Sequence, residues 1–148
     1  MNQLLEDVAF ADKYKYRIEK DTYIKEFLRG KKYRIITVRW KGKKYSSFTF
    51  ETESCSIPGS RKDGWMKTDD NDYLLYCFEQ ADNSIKIFII PFRKLQSWFW
   101  DNFRNYKEII TKQDNRTKSY LVYIKDIKNN VGYKEFIIQS PHQKTLFS

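Results

Sequence analysis

Two cysteines and one histidine are the side chains on which nucleophilic or zinc chemistry would be built most readily, and their placing argues against both. Cys55 and Cys77 form no CxxC pair and have no Cys/His spacing around them. His142 stands beside Pro141 with no second imidazole in the chain, which removes a His-based triad and a site of several His ligands. Chemistry therefore falls to carboxylates, to Lys and Arg, to Tyr, or to a metal that they hold. The cations are the most concentrated of these groups. Arg29, Lys31, Lys32 and Arg34 make one cluster and Lys41, Lys43 and Lys44 a second, each in or beside a glycine-containing turn. Either can grip a phosphate backbone, where Lys and Arg displace condensed counterions. Tyr14, Tyr16, Tyr23, Tyr33 and Tyr45 are interleaved with them, and a ring exposed there can stack on a base of a single strand. Arg61 and Lys62, in a later stretch, can close over a ligand, the plainer role being that of a solvated charged loop. The plainer role for any single Lys is to keep a sheet edge soluble, and strand tyrosines commonly pack on their neighbours.

The elements that must position these groups follow from composition and periodicity. The chain has 148 residues, and its 28 Lys and Arg exceed its 19 Asp and Glu by nine, a net charge of +9. That length is one domain's worth, and the charge suits a polyanion such as DNA or RNA. Mean hydropathy is only −0.75, yet 18% of the residues are Phe, Tyr or Trp, enough large rings to build a core and to argue against disorder. No apolar run approaches the roughly 20 residues of a bilayer span. The first residues lack the basic flank and apolar stretch of a signal peptide. The expectation is a cytoplasmic protein with no membrane partner.

Residues 2–15 carry Leu4, Leu5, Val8 and Ala11 near a 3.6 period behind Asn2 as a cap, which predicts a first helix ending near Tyr14. Residues 22–28 admit a strand or a helix, and the turn at Arg29–Lys32 makes a hairpin with 33–40 the simplest reading. A second turn at 41–44 leads into 45–54, where Phe48 and Phe50 alternate with polar residues. The result is an antiparallel meander of up to three strands, with its two basic turns at opposite ends. A long loop over 55–71, broken only by Trp65 and Met66, precedes strands at 72–79 and 85–90. Pro91 stops the second of these, and Leu95, Trp98, Phe99 and Phe103 then mark a helix over 92–106. Residues 120–127 and 133–138 read as two final strands. The sum is a single α+β domain over 1–139, a mixed sheet with an antiparallel meander and flanking helices, followed by a flexible tail over 140–148.

Phe48-Thr49-Phe50-Glu51-Thr52-Glu53-Ser54, Gly64-Trp65, Asp72-Tyr73-Leu74-Leu75-Tyr76-Cys77-Phe78 and Phe88-Ile89-Ile90-Pro91 with Leu95 make a layout with a wider echo. Across residues 10–100 it resembles small phage and bacterial proteins of the restriction-endonuclease-like PD-(D/E)XK superfamily. The resemblance implies a restriction-endonuclease-like fold and a DNA-cleaving site. In that site an Asp on one strand and a Glu on its neighbour hold Mg²⁺, and a Lys two residues after the Glu serves the attacking water. Glu51 matches the second carboxylate, and Glu53 stands where Lys is usual. The preceding strand offers Thr37 and Arg39 but no acid, which leaves Asp21 as the substitute first carboxylate. By resemblance, then, Asp21 and Glu51 hold Mg²⁺ and Glu53 acts as base or water-orienting group. The incomplete motif implies two alternatives: a nucleic-acid-binding domain with a nuclease-like fold, a metal-dependent deoxyribonuclease where the site is active, or a non-catalytic interaction protein such as a phage-encoded inhibitor of host nucleic-acid processing or defence. In plainer roles Asp21 begins an element and the two glutamates guard an edge strand.

Gln143-Lys144-Thr145-Leu146-Phe147 resembles the pentapeptide by which bacterial replication and repair proteins dock on the sliding clamp. That resemblance implies Leu146 and Phe147 in an apolar pocket, with the Gln143 amide fixing register. The alternative is that Leu146 and Phe147 fold back over a hydrophobic edge.

Overall fold

The computed structural model of the chain describes residues 3–57, 60–110 and 117–140. In chain order the elements are α1 (Gln3–Glu19), α2 (Thr22–Phe27), β1 (Tyr33–Val38), β2 (Ser47–Ile57), β3 (Ser60–Asp63), α3 (Trp65–Thr68), β4 (Tyr73–Glu79) and β5 (Ile85–Pro91). They continue with α4 (Phe92–Asn102), a 3-10 turn (Phe103–Asn105), β6 (Lys107–Ile110), β7 (Lys118–Tyr123), α5 (Ile124–Asn130) and β8 (Lys134–Ile138). The α+β class is as expected, with the described strands in two sheets of order β1-β4-β5-β8 and β3-β2-β7-β6. The chain divides into two compact units inside the span expected as one domain, each assembled from separated stretches.

The first unit takes Met1–Lys44, Asn71–Ile90 and Tyr133–Ser148. Its sheet is mixed: β1 runs parallel to β4, from Tyr33 opposite Tyr73 to Val38 opposite Phe78, and β5 runs antiparallel to β8. α1 presents Phe10, Tyr14 and Ile18, four residues apart, to this sheet. The stripe carries the helix past its expected end near Tyr14 to Glu19. α2 adds Ile24 and Leu28, and together they cover Leu75, Cys77, Ile85, Ile87 and Ile89, every second residue of β4 and β5. Burial pushes the Cys77 thiol far up, so it is packing rather than a nucleophile. Between β4 and β5 the turn is closed by Gln80 N–H donating to the Ser84 carbonyl at 2.9 Å, with Asn83 at φ 68°.

The second unit takes Tyr45–Asp70 and Pro91–Gly132 around an antiparallel sheet. On β2, Phe48, Phe50 and Thr52 are buried and alternate with half-buried Thr49, Glu51 and Glu53. Phe50 meets Trp65 of α3 and Phe99 of α4 edge-on, at ring separations of 6.1 and 5.8 Å.

Three expectations are corrected. The meander does not form. Residues 22–27 are helix, because Ile24, Phe27 and Leu28 lie on one helical face behind a capping Asp21. β1 and β2 lie in different sheets, and β1 has its partner in β4, across the long connection that parallel pairing requires. The stretch 55–71 contains β3 and α3 rather than loop throughout. The strand expected over 120–127 ends at Tyr123 and gives way to α5, whose buried Ile127 lies four residues before the buried C-cap residue Val131.

Candidate nucleic-acid interface

Asp21 begins α2. Its Oδ1 accepts a hydrogen bond from the Ile24 backbone N–H at 3.1 Å, satisfying one of the donors that a helix start leaves open. Glu51 and Glu53 share the half-buried face of β2, opposite Ser119 and Lys118 of β7 with a register irregularity between them. The Glu53 carboxylate lies 3.9 Å from the Lys118 ammonium. β2 has β3 and β7 as neighbours, with β3 pairing from Glu53 onward, so Glu53 lies inside the sheet and β1 does not flank the strand that carries the two glutamates. Asp21 belongs to the first unit and Glu51 and Glu53 to the second. Neither unit by itself assembles the set, and among the described residues no three of His, Cys, Asp and Glu gather as metal ligands. The donors given to Mg²⁺ by resemblance are not built into a centre within either unit.

The cations are distributed differently. Residues 1–44 hold thirteen Lys and Arg against six Asp and Glu, so this stretch carries +7 of the chain's +9. Arg29 is exposed and pairs with Glu26 at 3.0 Å, a surface contact of little energetic weight. Lys31 and Lys32 are exposed between α2 and β1, in a connection that turns at Gly30 with φ +72°. Arg34 lies half-buried on β1 itself. Lys41, Lys43 and Lys44 are exposed beyond the other end of β1, around Gly42 at φ +89°. The two clusters therefore bracket one strand. Lys62 is exposed on β3 in the second unit, whereas the Arg61 side chain and Gln143, Leu146 and Phe147 lie outside the described residues.

The five tyrosines interleaved with these cations separate by environment. Tyr14 is buried and donates its hydroxyl to the Glu79 carboxylate, whose Oε1 also accepts the Trp40 N–H at 2.9 Å. Tyr33 donates to Glu19 at 2.7 Å. Burial, reinforced by Glu79, pushes the Tyr14 phenol up to about 12; the bond to Glu19, reinforced by burial, does the same for Tyr33. Both are fixed donors rather than free rings, and Tyr45 is half-buried. Tyr16 and Tyr23 are the open ones, at 67% and 49% exposure. The Lys20 ammonium sits 5.2 Å from the Tyr16 ring centre. Tyr23 stacks on Phe136 of β8 at 4.7 Å with 13° between the ring planes.

Beside that ring pair lies a cleft of about 470 Å³, lined among others by Arg17, Lys20, Asp21, Tyr23, Phe136 and Gln139. The Arg17 guanidinium is held there by donating to the carbonyls of Asn83 at 3.1 Å and Gln139 at 3.3 Å. Sequence reasoning missed Arg17, Lys20 and Phe136. The adjacency of Lys20 to Tyr23 was a readable local signal, but Phe136 reaches this place only through the pairing of β8 with β5. A second cleft, of about 560 Å³ in the second unit, is lined by Lys67, Gln96, Ser97, Trp100 and Asp101. It offers one cation against one carboxylate and no excess charge.

Comparison with protein-family models, with curated proteins and with solved structures returned no match.

Proposed function

We propose that this chain is a nucleic-acid-binding domain that holds the phosphate backbone through residues 1–44. The observation that carries the reading is the +7 charge of that stretch, six of whose thirteen cations, Arg29, Lys31, Lys32, Lys41, Lys43 and Lys44, stand exposed as two clusters at the two ends of β1. Charge of this density favours a polyanion because each phosphate neutralised releases a counterion. β1 is hydrogen-bonded along its length to β4, so the clusters sit on a fixed baseline. With six residues in β1 and about 3.3 Å per residue, that baseline is roughly 17 Å. A non-catalytic site has better support than an active one. The Asp21 carboxylate serves as a helix cap, Glu53 faces Lys118, and the strand that should supply the first acid does not flank β2.

Fluorescence anisotropy of labelled oligonucleotides tests the binding. The logarithm of the association constant should fall linearly with the logarithm of salt concentration, with a slope of about −0.7 per phosphate contacted on a single strand. A flat salt dependence overturns the reading. Single-stranded, duplex and branched DNA incubated with Mg²⁺ or Mn²⁺ should emerge intact; cleavage that Glu51→Gln abolishes would establish the nuclease alternative instead.

A further inference from the structure

We infer that the cleft beside Tyr23 and Phe136 is a nucleotide subsite that makes the protein a reader of single strands. The inference rests on the proposed nucleic-acid binding and adds to it the form of the ligand. Three features of the lining belong together. Tyr23 offers a ring that is half exposed yet already fixed, because it stacks on Phe136 at 4.7 Å. A ring locked by an aromatic neighbour loses little conformational freedom when a base adds to the stack. Arg17 and Lys20 supply two cations against the single carboxylate of Asp21, which is itself engaged with the Ile24 N–H. The guanidinium of Arg17 is positioned in advance by two backbone carbonyls. Finally, about 470 Å³ lies in the range of a small-ligand site and suits one nucleotide rather than a helix.

The combination of aromatic face and cations is the chemistry by which single strands are held, the base on the ring and the phosphate on the charge. A duplex cannot use it. Its base faces are buried in its own stack, so only its phosphates could approach Arg17 and Lys20. DNA and RNA single strands share the recognised groups, and separate oligonucleotides of each rank them.

The experiment measures anisotropy with a single strand and a hairpin duplex of equal length, for the wild type, Tyr23→Ala, Tyr23→Trp and Lys20→Gln. Tyr23 is a surface side chain, and Tyr23→Trp keeps a stacking ring. Tyr23→Ala should weaken single-strand binding about tenfold, within the range that base stacking contributes, and leave duplex binding unchanged. Tyr23→Trp should restore the affinity, and Lys20→Gln should flatten the single-strand salt slope by about 0.7. A strand carrying 5-iodouracil should photo-crosslink to Tyr23 or Phe136. The subsite is overturned if the wild type binds with a salt slope but Tyr23→Ala leaves single-strand affinity intact, or weakens duplex binding equally. If the wild type binds neither form with a salt slope, it is the nucleic-acid reading itself that fails.

Discussion

Gly64 and Asp21 are single positions whose surroundings dictate their residue types. Gly64 is buried, and its N–H donates to the Thr52 carbonyl at 2.8 Å. A Cβ there would lie 2.6 Å from the Glu51 carbonyl oxygen and 2.8 Å from the Thr52 carbonyl carbon. Both are backbone atoms of an interior strand, which cannot yield as a side-chain tip would. Gly64→Ala should therefore destabilise the protein by about 1–3 kcal/mol, the usual result of overfilling a packed site, read as a lower urea midpoint. Asp21 is constrained by its acceptor rather than by space. Asp21→Ala should lower stability by about 1 kcal/mol, whereas Asp21→Asn keeps a capping oxygen and should lose a few tenths at most. Equal losses for Ala and Asn would show that the carboxylate's charge, not its capping bond, is what the position needs.

Individual elements tie into the fold through a few polar contacts laid over apolar stripes. α1 is fixed to the first unit's sheet by Ile18 and Tyr14 and also by two phenol-to-carboxylate bonds, Tyr14 to Glu79 and Tyr33 to Glu19. Both phenols have folded-state values raised to about 12 from an ordinary 10. For a group whose value is raised on folding, the unfolded chain loses its proton first as pH increases. The stabilisation is then complete below pH 10 and disappears between about pH 10 and 12. Urea midpoints measured across that window should fall, and Tyr14→Phe should flatten part of the fall; a level wild-type curve would contradict the assignment. The same elements show what can be read locally. The strict alternation of Phe48 and Phe50 with Thr49 and Glu51 marks β2, and the apolar runs Leu74–Phe78 and Ile87–Ile90 mark β4 and β5. Pairing is another matter. In β1 the adjacent Ile35 and Ile36 break any alternation, and all six of its residues are half-buried. Its partner lies beyond the whole first segment of the second unit, and nothing near Tyr33 encodes that. α5 is concealed for a related reason, because Ile124 and Ile127 continue a β-branched run that begins as a true strand. The basic clusters of the interface were legible because they are local in sequence, whereas Tyr23 and Phe136 become neighbours only through tertiary structure.

At the scale of the whole molecule, the question is whether the two basic clusters bind as one surface. Arg29, Lys31 and Lys32 lie before β1 and Lys41, Lys43 and Lys44 after it, and these six side chains are exposed. Neutralising them to Gln should change stability by no more than about 0.5 kcal/mol per substitution, since surface changes away from packed features have small effects. Their effect on binding should be large and dependent on ligand length. A strand long enough to cross β1 meets both clusters, so each triple substitution should reduce the salt slope by about 2, three contacts at roughly 0.7 each, and the two reductions should add. An oligonucleotide of about four nucleotides, near the lower limit of single-strand site sizes, engages one cluster at a time. For it, either triple alone should cost little, because the other cluster still binds, and only the two together should abolish binding. If long and short strands respond alike, the clusters do not share a ligand, and the role of β1 as the spacer between two phosphate grips is wrong even though each grip binds.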